Sequence, residues 1–487
     1  MNFKDLLFGI SAAEDEAVDF PELLLEGYYD PQDMPARLLD GPEFLVLGPK
    51  GSGKSALTEH LRLRAMTDSQ LFVTRVELNN LHFRQFLGMV PGIGDRTSYP
   101  SAWEWLILIS LFSSFAQDEG AYSNSSEDYR RTIRALDVAG YLPKDRLDLD
   151  QLITRSTTEK FAIKLPGLEL GAEETRRPEG PNFFSALGTL KQVASQFMSD
   201  SRHLLVIDGL DTMFILEEVD WQILTALMVQ VSSLNRMLRD RGTPASVIVL
   251  CRTDIYGRLP FADANKTRQN RGIELEWYPR SQRPAHSPLF RLAHKKASVH
   301  HPGVGNIVER FFPQVMELRS GRKMLIHEFL MELTRHRPRD LLSLLLYIQK
   351  ASPRTGAPSA LDVDEGARRY SLQYFVPEIR SELHGLLPQS EAFNALGLLK
   401  SMGGHKFYLH ELNAKAKSDS RYSDIDVPAV LEQLFACGAV GNIASGGREP
   451  FYDFSYRNPE IDFDPDKQLI IHNGLILGLN IPRQVVR

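Results

Sequence analysis

The sequence predicts an α/β fold built on a parallel sheet, and three observations predict it. Short continuous apolar runs recur at 44–47, 71–78, 203–207, 246–251 and 273–277, the pattern of strands buried on both faces. Segments with helical spacing separate them, so successive strands must be joined by crossovers, which are right-handed in nearly all parallel sheets. The first strand runs straight into a glycine-rich turn, Gly48-Pro49-Lys50-Gly51-Ser52-Gly53-Lys54-Ser55, and then into a helix over 56–64.

Between the second and third strands lies a long, mostly helical insertion, about residues 80–200, with helices expected at 103–115, 125–136 and 182–197. Prolines, glycines and mixed charges over 164–181 read as a loop or small hairpin. Another apolar helix, 221–238, leads to the fourth strand. After residue 300 the strand signal fades, and helices are expected at 304–315, 323–334 and 338–350. Pro353, Gly356 and Pro358 mark a linker. The expected organisation is an N-terminal segment 1–40, a core 41–300, a helical lid 301–352 and a smaller domain 360–487.

Composition sets limits on partners. At 487 residues, with 43% hydrophobic and 24% charged residues, the chain reads as globular and too long for one core. Lysine and arginine total 56 against 62 acidic residues, a net charge of −6, so nucleic acid is not supported by net charge and would need a local basic patch. The basic, histidine-rich stretch 280–301 is the candidate for such a patch, and a solvated loop explains it at least as well. Cys251 and Cys437 are the only cysteines and lack zinc-ligand spacing, which suits a reducing compartment. The most apolar run, 103–116, is shorter than the roughly 20 residues of a membrane span. Lys4 is followed by Asp5, Glu14, Asp15 and Glu16, unlike a secretory signal, and a cytoplasmic protein without a membrane partner is expected.

The turn fits G-x-x-x-x-G-K-[ST] at every position and lies between strand and helix, where a phosphate-binding P-loop must lie. Glycines let the backbone fold back so that successive N–H groups face phosphate oxygens, and the helix dipole adds positive potential at the same place. Gly48 to Ser55 are therefore the expected nucleotide-binding residues. Lys54 supplies a mobile cation for the terminal phosphates and Ser55 a hydroxyl for Mg²⁺.

The third strand, Leu204-Leu205-Val206-Ile207-Asp208, ends in a carboxylate, as the acidic strand beside a P-loop does. Asp208 is the expected metal-side residue. Asp211 either orients the attacking water or caps the next helix. Arg252 and Thr253 follow the fourth strand, where a polar group can sense the terminal phosphate, with a solvent-facing arginine as the alternative. Arg268 and Arg271 are finger candidates. Asn265-Lys266-Thr267-Arg268 lacks the aspartate of a guanine-reading motif, which disfavours GTP. Pro338 opens a lid helix, and Arg337 and Arg339 are equally eligible to fold onto a nucleotide, or simply form a basic helix start paired with Asp340.

Together, Gly48 to Ser55, Leu204 to Asp211 and the Arg252 strand resemble a STAND ATPase of the ASCE/AAA+ P-loop type. The Asp208-Gly209-Leu210-Asp211 turn is similar to NACHT-type acidic strands, although those often carry a further acidic residue where this chain has Thr212. Phe8-Gly9, Arg252-Thr253-Asp254-Ile255, Asn265-Lys266, Trp277 and Arg337-Pro338-Arg339-Asp340 also resemble a poorly characterised group of bacterial P-loop ATPases often found beside defence genes. The resemblance spans residues 3 to 350 in scattered motifs. It implies ATP as nucleotide, a helical lid and ATP-controlled assembly, and by association antiviral defence.

In the last domain a helix over 391–401 and an extended stretch at 406–412 precede a helix capped by Asp426, with Val427, Val430, Leu431, Leu434 and Phe435 on one face. Two strands, 439–444 and 451–456, then pair across Ser445-Gly446-Gly447-Arg448, which gives a winged-helix outline. Such a domain can place a helix in the DNA major groove, but 426–438 contains no lysine or arginine, which favours a packing or regulatory role. The leading expectation is an ATP-hydrolysing switch with Mg²⁺ that controls homo-oligomerisation or a separate effector protein. The alternatives are a DNA-engaging AAA+ ATPase of the origin-recognition or helicase-loader kind, and a nucleotide held only as structure.

Overall fold

The computed structural model describes residues 1–78, 99–142, 181–210, 221–278, 284–317, 321–384, 386–444, 451–458 and 460–482. Two compact units emerge: a sheet unit, Asp30–Lys50 with Lys54–Leu275, and a carboxy-terminal unit, Met1–Tyr29, Gly51–Gly53 and Glu276–Arg487.

The sheet unit contains five parallel strands, β1 (Leu45–Leu47), β2 (Leu71–Glu77), β3 (Arg202–Asp208), β4 (Ala245–Cys251) and β5 (Gly272–Glu274), in the order β2-β3-β4-β1-β5. All five predicted strands form, and β4 separates the phosphate strand β1 from the acidic strand β3. The register aligns Leu47 with Cys251 and Glu77 with Asp208, so the strand ends that carry the polar motifs share one edge. Helix Tyr99–Phe115 is buried on nearly every side, which explains its lack of a polar face. Its Trp103 indole N–H donates to the Ile223 carbonyl of helix Trp221–Asp240 at 2.9 Å. That second helix is pinned to β4 by the Asn235 amide, which exchanges two 2.8 Å hydrogen bonds with the Val247 backbone.

At the opposite edge, Ser114 Oγ lies 2.9 Å from His203 Nδ1, and His203 Nε2 lies 3.3 Å from Asp118 Oδ2. The chemistry resembles a hydrolase triad, but all three residues are buried in the core. Burial, opposed only partly by Asp118, lowers the His203 pKa to about 4 and keeps the ring neutral. It is a structural clamp. The expected loop or hairpin at 164–181 lies outside the described residues save Pro181, which opens helix Pro181–Ser195.

The carboxy-terminal unit departs from the sequence reading in several places, among them the helix expected at 323–334, which begins only at Ile326. Residues 288–300, expected as part of a solvated loop, form a helix: Ser287 caps it, Pro288 occupies its first turn, and Leu289, Phe290, Leu292, Ala293 and Ala297 enter the core. Its Lys296 is buried as well, in an ion pair with Glu16. The helix expected at 304–315 stops at Phe311, because Pro313 disfavours helical backbone at Phe312, which is extended (φ −103°, ψ 151°). Strands β6 (Val315–Glu317) and β7 (Lys323–Leu325) then pair antiparallel, and helix Ile326–Glu332 follows. Finally, the extended stretch read at 406–412 is a two-residue strand, β8 (Lys406–Phe407), followed by helix Leu409–Lys417, whose Glu411 carboxylate reaches back to the Tyr408 N–H at 2.7 Å.

Helices Gln389–Ser401, Leu409–Lys417 and Val427–Ala436 pack with an antiparallel sheet, β10-β9-β11-β8, of β8, β9 (Val440–Ala444), β10 (Phe451–Asp453) and β11 (Leu469–Ile471). Helix, strand, helix, helix and antiparallel strands make a winged-helix-like domain, with β11 unannounced in the sequence. Asp426 caps its third helix as expected, accepting from the Ala429 N–H at 3.2 Å.

A buried polar knot ties helix Pro338–Ala351 to this domain. Arg335 is 1% exposed and donates to Asp340, to Glu382 at 2.7 Å and to the Cys437 carbonyl at 3.4 Å. Arg337 shares the same Glu382 oxygen at 3.0 Å, and the Tyr374 hydroxyl donates to Asp340 at 2.9 Å. Burial alone raises a carboxyl pKa, but Arg335 and Arg337 outweigh it and hold Asp340 at about 2. A carboxylate depressed in this way stabilises the fold above its unfolded pKa of about 3.9 and loses that contribution as pH falls toward 2. Arg335→Met should therefore destabilise the protein by about 3–5 kcal/mol at pH 7, by removing the ion-pair partner of buried Asp340 and leaving Glu382 with Arg337 alone. Denaturant unfolding at pH 7 and pH 3 measures both effects: the wild-type protein should lose stability between the two, and the variant should lose less.

Candidate functional site

The site is built at the carboxyl edge of the sheet, where β1 hands over to the loop. The Gly48 N–H still donates to the Cys251 carbonyl of β4 at 3.4 Å, so the loop starts in register with the sheet. Gly51 and Gly53 then adopt φ of +79° and +101°, conformations that side chains resist. At Gly53 an added Cβ would meet nothing within 4 Å, so its glycine is required by backbone conformation and not by lack of space. Helix Lys54–Ala65 begins at the motif lysine.

Lys54 is 7% exposed, and its ammonium donates to the Gly48 and Pro49 carbonyls at 2.9 and 3.1 Å. The cation thus lies against the loop's own main chain. Ser55 Oγ donates to Asp208 Oδ2 at 3.1 Å, which joins two residues 153 positions apart, and the Gly209 N–H donates to Asp208 Oδ1 at 2.7 Å. The Ser52 and Thr58 hydroxyls are buried without a hydrogen-bond partner. Among the described residues no three His, Cys, Asp or Glu side chains converge as a metal cage. A loop of this shape, a lysine, unsatisfied hydroxyl groups and a hydroxyl–carboxylate pair fit a triphosphate with Mg²⁺, which takes few protein ligands and completes its shell with phosphate and water. Ser55 and Asp208 would hold the metal, and Lys54 with the loop N–H groups would hold the phosphates.

Two residues passed over by the sequence reading belong to this site. Arg75 on β2 pairs with Asp208 Oδ2 at 3.1 Å, with Glu59 at 2.9 Å and with Glu77 at 3.1 Å. Glu59 lies on the P-loop helix, 4% exposed, and also pairs with Arg62 at 2.7 Å. In sequence Arg75 is one of three polar residues, with Thr74 and Glu77, in strand Leu71–Glu77. Only its alternation with Val73 and Glu77, combined with the parallel register against β3, could have pointed to it.

The remaining expected residues divide. Arg252 follows β4 at the correct edge, but its guanidinium forks onto Asp254 at 3.0 and 2.7 Å, and it serves as the N-cap residue of helix Thr253–Tyr256. Arg268 is likewise forked onto Glu274 at 2.6 and 2.9 Å. Asp211 lies outside the described residues.

Gly51–Gly53 cluster with the carboxy-terminal unit, and their contacts there separate Arg337 from Arg339. Arg337 is turned into the buried knot with Glu382. Arg339 lies along the loop: its N–H donates to the Gly51 carbonyl at 3.3 Å, and a Cβ added to Gly51 would lie 3.2 Å from the Arg339 Cβ. Its guanidinium is 3.8 Å from Glu378. Trp277, noted in the sequence only for its resemblance, donates its indole N–H to the Ser52 carbonyl at 2.8 Å.

No family model matches the chain. It is 21% identical to the putative transposon gamma-delta 80.3 kDa protein of Escherichia coli (strain K12), over 98% of this chain and 68% of that protein. Among solved structures it is similar to the Aeropyrum pernix ORC1 protein in complex with DNA, at 13% identity, 97% and 93% coverage and a TM-score of 0.37. Cdc6p from Pyrobaculum aerophilum is similar at 11% identity, 91% coverage of each chain and a TM-score of 0.31. Drosophila ORC bound to DNA follows at 13% identity, 96% coverage of each chain and a TM-score of 0.28. Strand order and loop geometry, and not these distant likenesses, establish that the sheet unit has the fold of a P-loop nucleotide triphosphatase.

Trp277→Phe keeps the buried ring and removes one hydrogen bond to the loop. The expected result is a several-fold weaker affinity for a fluorescent ATP analogue, in line with about 1 kcal/mol for a hydrogen bond, with the melting temperature little changed.

Proposed function

We propose that the protein is a Mg²⁺-dependent ATPase that works as a nucleotide-controlled switch. The observation that carries this reading is the meeting of Ser55 Oγ and Asp208 Oδ2 at 3.1 Å, on a loop whose own carbonyls hold the Lys54 ammonium. Bound Mg-ATP supplies the scissile phosphoanhydride and a metal that neutralises its charge. The chain's own residues do the rest. Gly48 to Ser55 position the triphosphate, and Lys54 stabilises charge that develops on its terminal oxygens. Asp208 orients the metal's water shell. Asp211 is the proposed orienting group for the attacking water, with helix capping as its alternative role. Arg339, lying along Gly51, is favoured over Arg337 as the lid arginine that senses nucleotide. Arg252 can contribute only by leaving Asp254.

The proposed output is control of self-assembly or of a partner effector, since the described residues show no second catalytic centre. The motif resemblance supports a place in bacterial antiviral defence, and the transposon-derived relative is described by its origin, which does not choose among outputs. A cytoplasmic setting is proposed from cysteine usage: the sequence has only Cys251 and Cys437, and both are buried.

The DNA-engaging alternative is supported by the winged-helix-like domain. Against it, the exposed positions of helix Val427–Ala436 are Pro428, Glu432 and Ala436, so the helix placed to enter a groove offers a carboxylate and no cation to phosphate.

Steady-state ATP turnover tests the main reading. Lys54→Ala and Asp208→Asn should each lower it by roughly 100-fold or more, with the fold preserved by circular dichroism. Turnover that survives Lys54→Ala would refute it. Duplex DNA added across a salt series decides the alternative: strong stimulation that fades with salt would favour DNA engagement, whereas ATP-dependent growth in mass by light scattering favours the switch.

A further inference from the structure

Arg75 is not part of the phosphate-loop pattern, yet its guanidinium occupies the carboxylate that the pattern reserves for metal. Its two terminal nitrogens are used differently. Nη2 contacts Asp208 Oδ2, the same oxygen that accepts from Ser55 Oγ, at 3.1 Å. Nη1 is shared between Glu59 on the P-loop helix at 2.9 Å and Glu77 at the end of β2 at 3.1 Å. The side chain is 12% exposed, and Glu59 and Asp208 are more than nine-tenths buried as residues. Without Arg75, Asp208 and Glu59 would face one another across the site with one partner fewer each, beside the exposed Glu77.

We propose that Arg75 is the resident counter-cation of the metal site, a built-in stand-in for Mg²⁺ that lets the site accept nucleotide before or without the metal. The inference rests on the nucleotide reading above. Its physical basis is charge: three carboxylates near a phosphate cradle repel a bare triphosphate, and a guanidinium placed among them cancels part of that field. Arginine suits the role because its planar fork can bridge two carboxylates on different elements, whereas a lysine ammonium is a single point charge. The same pairing gives a route by which the metal oxygen is released. Nη1 stays anchored by Glu59 and Glu77 while Nη2 swings away from Asp208, so Arg75 need not leave the site. Arg75 is thus a positioning residue for Asp208, and its presence should set how strongly nucleotide binding depends on Mg²⁺.

The test is equilibrium binding of a fluorescent ATP analogue to the full chain, once with excess Mg²⁺ and once with EDTA. The readout is the ratio of the two affinities. In Arg75→Gln the EDTA affinity should fall while the Mg²⁺ affinity holds or improves, widening the ratio by roughly tenfold, the scale of one hydrogen bond to a charged group. Arg75→Lys should fall between Gln and wild type, and it serves as the folded comparison should the neutral variant lose stability. Arg131→Gln, which removes an exposed pair with Glu127, should leave the ratio unchanged. A ratio in Arg75→Gln and Arg75→Lys within twofold of wild type, with melting curves intact, would overturn the role given to Arg75 alone. Failure of the wild-type protein to bind the analogue even with Mg²⁺ would overturn the nucleotide reading with it.

Discussion

The organisation of the site depends on the insertion of β4 between β1 and β3. With one strand between them, the phosphate loop leaving β1 and the carboxylate ending β3 stand apart by a distance that a serine on the loop helix can close, and Ser55 meets Asp208 at 3.1 Å. Parallel register does the remaining work, because it brings the ends of β1, β3 and β4 to one edge, where helix dipole and loop N–H groups also point. The glycines at 51 and 53 follow from the same constraint: a chain that must turn sharply around phosphate needs positive φ where it turns.

The charges around this junction pair with one another. Asp208, Glu59 and Glu77 surround Arg75, and Glu59 is further held by Arg62. Lys54 is held by the loop's own carbonyls. Each cation with a role in the proposed chemistry therefore has an intramolecular partner from which a ligand must win it, and the exchange of partners is what couples ligand to structure. Arg339 follows the same logic beside Glu378, and Arg252 beside Asp254.

The carboxy-terminal unit uses charge for a different purpose. Arg335, Arg337, Asp340 and Glu382 are buried together; Arg335, Asp340 and Glu382 each have more than one partner and Arg337 shares the Glu382 oxygen, so the knot fixes how helix Pro338–Ala351, helix Val376–His384 and the Cys437 turn fit together. A buried network of this kind specifies one arrangement because every alternative strands a charge. Adjacent arginines in one short motif consequently have different fates: Arg337 is locked into the knot, while Arg339, two residues on, lies along Gly51.

The sequence by itself determined the five strands, the phosphate loop with Lys54 and Ser55, Asp208 at the end of its strand, and the Asp426-capped helix. Those features are local: apolar runs, glycine spacing and caps act within a few residues, and a linear pattern records them. It missed helices Pro288–His300 and Leu409–Lys417, and the strands β6, β7 and β11, because short elements are decided by what they pack against. Lys296, read as a solvated charge, is buried because Glu16, 280 residues away, pairs with it. Only the tertiary structure decided that Arg75 bridges Glu59 and Asp208, that Trp277 holds the Ser52 carbonyl, and that Arg339, not Arg337, lies by Gly51. Each depends on partners distant in sequence, and register between strands, not spacing along the chain, sets those distances.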